Sequence, residues 1–158
     1  MPNTQIQTTE EVRSYGTKIT SQGAALLADC LLRGEMLQIK EAAAGDGGGA
    51  YYEPTVDQLE LKNELWRGMI ASAQLSPTTP NMIDVKIVID DDVGGFIIRE
   101  MSLIADDGTD EGLTLAICNT PDTEKVAISQ GVSGKLTMVM HIVVADASIL
   151  EFVINPAL

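Results

Sequence analysis

The second half of the chain leaves little freedom in the fold. From Met82 the apolar residues Ile83, Val85, Ile87 and Ile89 alternate with Asp84 and Lys86, the period-two pattern of a strand with one wet face. Asp90-Asp91-Asp92-Val93-Gly94-Gly95 interrupts it. Residues 96–104 read as the next strand, closed by the favoured turn pair Asp107-Gly108. Residues 113–118, 136–144 and 149–154 bring the set to about five strands. No crossover helix fits between them, so neighbours are expected to run antiparallel.

The first half reads differently. Residues 1–16 are polar and lack a sustained apolar period, and they are expected to form a flexible N-terminal arm ahead of a single domain, 17–158. Thr20 or Ser21 can cap a helix in which Leu27, Cys30 and Leu31 recur at helical spacing and which Gly34 ends. Residues 36–44 follow as a strand, broken by Gly45-Asp46-Gly47-Gly48-Gly49. A second helix is expected over 55–64, capped by Thr55 or Asp57, with Leu59, Leu61 and Leu65 as its apolar contacts. Residues 69–75 read as extended and 76–80 as a turn. Helices early and strands late define an α+β class: two N-terminal helices packed on a mainly antiparallel sheet or sandwich of about five or six strands.

Charge narrows the partners. Among 158 residues, 23 acidic side chains face 10 basic ones, a formal net charge of −13. Nucleic acid and anionic lipid surfaces are poor partners for such a chain, because both are held through Lys and Arg. No run of ~18 apolar residues could span a membrane. The polar, acidic N-terminus lacks the basic and apolar regions of a secretory signal, so synthesis in a cytosol is expected. Cys30 and Cys118 have no metal spacing and read as buried reduced thiols, with a disulfide as the alternative.

A search for reactive constellations assigns no catalytic, cofactor-binding or metal-binding residue, and the chain is not expected to be an enzyme. The Gly45–Gly49 loop lacks the Lys-Ser/Thr ending of a phosphate cradle, and Gly131-Val132-Ser133-Gly134-Lys135 has the wrong spacing. His141, the single histidine, excludes any site needing two imidazoles in one subunit. It reads as a packed or edge residue; three copies meeting on a three-fold axis are the metal-binding alternative. Asp90–Asp92 and Asp106, Asp107, Asp110 and Glu111 do not match a calcium loop and read as solvated turns. A glycosidase carboxylate pair finds no aromatic support nearby.

The stretch from Ile87 to Gly108, with Val93-Gly94-Gly95-Phe96-Ile97-Ile98-Arg99-Glu100 at its centre, resembles the hallmark of the phage tail-collar fibre proteins, the N-terminal domain of many tail fibres. Other pieces agree in order. Residues 20–32 are similar to the family's early helix, and Ala43-Ala44-Gly45-Asp46-Gly47-Gly48 to its glycine-aspartate loop. Asn63-Glu64-Leu65-Trp66-Arg67 and residues 149–156 are similar to its middle segment and closing strand. The resemblance covers about residues 17 to 158.

The resemblance implies a structural virion component that attaches a fibre to the baseplate of a phage tail or tail-like bacteriocin. It implies a homotrimer in the virion tail, made in the host bacterial cytoplasm, with baseplate proteins and a distal fibre or receptor-binding protein as partners. Its marked residues have structural roles. Gly94 and Gly95 would permit a bulge or a positive φ, and Arg99 is expected to pair with a carboxylate among Asp90–Asp92. Many members continue into a shaft and tip, whereas this sequence stops at Leu158, so it is expected to be an adaptor or a piece of a longer fibre. The alternative is a stand-alone receptor- or glycan-binding module, for which Tyr51, Tyr52 and Trp66 are the available rings.

Overall fold

The computed structural model describes residues 12–127 and 135–158. Among them, one helix and nine strands form two sheets. In chain order these are β1 (Thr17–Ile19), α1 (Ser21–Arg33), β2 (Leu37–Gly45), β3 (Glu64–Gly68), β4 (Ser72–Leu75), β5 (Met82–Ile89), β6 (Phe96–Ala105), β7 (Leu113–Lys125), β8 (Leu136–Val143) and β9 (Leu150–Phe152). The larger sheet runs β1-β7-β6-β2-β3, with β9 also paired to β2; the smaller runs β4-β5-β8. Pairing is antiparallel except for β9 on β2.

The alternation in β5 does what the period demands. Ile83, Val85, Ile87 and Ile89 face inward with Met140 and Ile142 of β8, and they meet Ile39, Ala44, Met101, Leu103 and Leu115 of the larger sheet in one core. The two sheets are therefore the layers of a sandwich, each burying its apolar face against the other. Helix α1 adds Leu26, Leu27 and Cys30 to this core. Thr20 caps it, its hydroxyl accepting from Gly23 N at 2.9 Å. Gly34 ends it in the left-handed region at φ 65°, with Glu35 N returning to Cys30 O at 2.9 Å.

The two-helix α+β expectation is corrected: the molecule is mostly strand with one helix. Residues 55–63 form no helix because their backbone groups are bound elsewhere. Val56 O accepts from Ser21 N, Leu59 O from the Gln22 amide, and Lys62 N and Asn63 N donate to the Glu100 carboxylate. Leu61 is buried while Leu59 stays exposed. Tertiary bonds override a sequence that carries helix-start signals. Strand β7 also runs past Cys118 to Lys125.

The expected arm falls outside the described residues over 1–11. Within 12–16, Val12 is exposed, while Ser14 and Gly16 are hydrogen-bonded to Tyr51 and Asn119. The Gly131–Lys135 motif lies outside the described residues except for Lys135.

One buried side-chain polar atom has no partner among the described residues: the Ser102 hydroxyl, on a fully buried residue of β6. An orphaned hydroxyl costs free energy that its removal returns. Ser102→Ala is therefore expected to raise stability by about 1 kcal/mol, read as a higher urea midpoint at unchanged slope. A lower midpoint would show the hydroxyl to be bonded.

Candidate functional site

Strand register joins two features that stand far apart in the sequence. Gly45, at the end of β2, pairs with Glu100 of β6, which pairs in turn with Asn119 of β7. The glycine-aspartate loop and the Arg99-Glu100 pair are thus one place in the fold.

Glu100 is fully buried. A buried carboxylate is tolerated only where its lone pairs are met. Here it accepts Asn63 N at 2.8 Å, Lys62 N at 3.0 Å and the Tyr52 hydroxyl. Burial, and then the bond to Glu100, raise the Tyr52 hydroxyl pKa well above its ordinary value. Gln58 Nε2 donates to the same hydroxyl at 2.8 Å, and the Lys62 ammonium lies 4.0 Å from the Tyr52 ring centre. Together these bonds hold loop 46–63 over the outer face of the larger sheet, where Leu61 packs with Ala43 and Ile117. Gly45 has no room for a side chain: a Cβ would stand 2.0 Å from Asn63 O and 2.7 Å from Glu100 Oε1.

Asp46 and Arg99 complete the anchor. Asp46 Oδ1 accepts Gly48 N at 2.9 Å and Asn63 Nδ2 at 3.0 Å, and Gly47 turns at φ 68°. Arg99 Nη1 donates to Asp46 O at 3.2 Å, and its Nε lies 3.4 Å from Asp122 Oδ1. The carboxylate beside Arg99 is therefore Asp122, and the expected pairing with Asp90–Asp92 is corrected. The reason is a shift of register between Ile98↔Thr123 and Glu100↔Asn119. It leaves Thr120-Pro121-Asp122 as a bulge, the setting in which a proline without an N–H is accommodated. Asn119 ties in the segment before β1: its amide donates to Ser14 O at 2.7 Å and Tyr52 O at 2.9 Å, and accepts from Gly16 N at 3.0 Å.

The other end of the motif clasps the end of β7. Gly95, at φ 90°, donates to Lys125 O at 2.8 Å. The buried Lys125 ammonium donates back to Val93 O and to Val126 O. Gly94 serves close approach, since a Cβ there would meet Ala127 N at 2.3 Å. Val93 and Phe96 pack on the core.

The arrangement is a saturated hydrogen-bond network that fixes a loop. The rings that a glycan site would need are engaged: Arg13 lies over Tyr51, Lys62 over Tyr52, and Trp66 packs on the core. Among the described residues no three His, Cys, Asp or Glu side chains gather as a metal group. His141 is exposed and meets Asp84 across the strands, Nδ1 to Oδ1 at 2.7 Å. Among the described residues no helix is long and apolar enough to cross a membrane.

Both cysteines are free and buried, and burial pushes the Cys118 thiol up to about 12. At pH 8 Cys118 is expected to resist iodoacetamide in the folded chain and to react fully in denaturant, because the thiolate is the nucleophile. Mass spectrometry of the alkylated peptide reads this, and rapid labelling of folded protein would contradict it.

Sequence reading gave Tyr52 and Asn63 no part in this anchor and did not single out Lys62, Asn119, Asp122 and Lys125. One signal was available: Pro121 inside a β run marks the bulge that aims Asp122.

The marked residues of this β-rich domain serve its internal order. The chain belongs to the phage tail-collar fibre protein family, whose N-terminal model matches residues 12–158. It is a structural tail-fibre component. The chain is similar to the probable tail fiber protein of Escherichia phage P2, at 33% identity over 142 residues, covering 89% of this chain and 21% of that relative. It thus spans about a fifth of that relative's length. No solved structure matches it.

Proposed function

We propose that this domain is the attachment end of a tail fibre: it joins the fibre to the baseplate of a phage tail or tail-like particle, works as a homotrimer and carries no catalysis. The observation that carries the reading is the match of residues 12–158 to a model of the N-terminal end of collar fibre proteins. The anchor around Glu100 supports it, because rigid loops suit a load-bearing joint better than a reactive cleft. Three acidic copies repel one another, so the trimer needs an apolar interface. Exposed Val139 and Val143 on β8 and Leu31 and Leu32 on α1 supply candidate material. The fibre protein is made in the host bacterial cytoplasm and ends up in the virion tail.

Sedimentation equilibrium of the purified chain tests the assembly, with a trimer expected at micromolar concentration and a persistent monomer counting against it. Gold-labelled antibody against this domain is expected to mark the tail-proximal end of the fibre in micrographs. Labelling of the free tip would overturn the attachment reading.

A further inference from the structure

Strand β4 is an edge of the smaller sheet, and its residues Ser72, Ala73, Gln74 and Leu75 carry no charge. Strand β3, at the rim of the larger sheet, carries Glu64 and Arg67, charges of the kind that discourage edge pairing. Ser76 N donates to Met82 O at 2.8 Å, and Gln74 pairs with Asp84 and Leu75 with Ile83. Bonded and non-bonded pairs alternate along an antiparallel ladder. The backbone groups of Gln74 and Ser72 therefore turn toward β5, and those of Ala73 and Leu75 turn outward. Beside that edge, Ala73, Leu75, Ile83, Ala147, Leu150 and Phe152 line an apolar groove of about 290 Å³. Leu75 on its rim is 65% exposed.

We propose that β4 and this groove receive an extended segment of a partner protein, which adds a strand to the smaller sheet and places an aliphatic side chain in the groove. Outward amides and carbonyls supply the main-chain bonds, and the groove supplies side-chain selection. Charge selects the partner. Asp146, exposed and bonded to the lining residue Ser148, stands beside the groove, and the whole chain carries −13. Lys86 pairs with Ser72 and so lies on the opposite face of the sheet from Ala73. A segment with Lys or Arg beside its apolar residues is favoured, and a second copy of this acidic chain is disfavoured.

The test uses the whole chain and a synthetic peptide of alternating valine and threonine between pairs of lysines. With peptide at about ten times its Kd, amide hydrogen exchange at Ala73 and Leu75 slows about tenfold. Exchange at Gln74, already bonded to β5, stays unchanged. Ala73→Pro removes an outward donor without touching the ladder to β5 and abolishes the protection. Leu75→Lys does the same through charge and groove shape, should the proline variant fail to fold. Absent or unpatterned protection overturns the site. Equal protection by a glutamate-flanked peptide overturns the charge assignment. Concentration-dependent protection without peptide names a second copy as the occupant and overturns the partner proposed.

Discussion

Glu100→Ala lowers the thermal midpoint of the domain by about 10 °C. Removing one partner of a buried charged network costs about 3–5 kcal/mol, and a domain of this size loses about 2–4 °C per kcal/mol. The cost arises in the loop. Lys62 N, Asn63 N and the Tyr52 hydroxyl lose their acceptor at a partly buried place, and each donor left unmet there costs part of its desolvation. Glu100→Gln is expected to cost about half as much, since one amide oxygen still accepts while the NH₂ group confronts a backbone N–H. Scanning calorimetry reads both, and hydrogen exchange in loop 46–63 shows whether the loop opens first. An unchanged midpoint in Glu100→Ala would mean that the network is incidental to stability. Alkali acts on the same bonds. The Tyr52 pKa is raised in the folded state, so its contribution is complete below the unfolded value near pH 10 and is lost as pH rises past it.

Gly45→Ala is the second large effect, about 2–3 kcal/mol, or about 5–10 °C. The added methyl would sit 2.0 Å from Asn63 O, so either β2 or the loop must yield. Because it displaces the same loop that Glu100 holds, the two losses are expected not to add. The double variant should be more stable than the summed single effects imply, by about 1 kcal/mol or more. Strict additivity would separate the two residues energetically.

How far the sequence revealed this can be judged from particular segments. The period-two run Ile83–Ile89 is legible because one face is buried and the other wet, and it became β5 as read. Gly94-Gly95 and Gly45-Asp46-Gly47 were each legible as special backbone. That they share a sheet, with Gly45 paired to Glu100, was not, because register between distant strands is set by pairing rather than by local pattern. The missed loop 55–63 failed for a related reason. Its capping residues and acids satisfy every local rule for a helix start, yet a carboxylate from β6 and a glutamine from α1 take its backbone groups. The partner of Arg99 turned on a bulge at Pro121, where proximity in sequence misled.

The pairing of β9 with β2 sets a timetable for biosynthesis. Leu37 lies beside Leu150 and Ile39 beside Phe152, while Thr17 to Ile19 wait for Ala116 to Cys118. A ribosome must deliver residues up to Phe152 before the larger sheet can close, so the sheet cannot be completed strand by strand as its first members emerge. Until then the apolar strands β5 and β6 stand without their final cover, and their edges are open to wrong pairing.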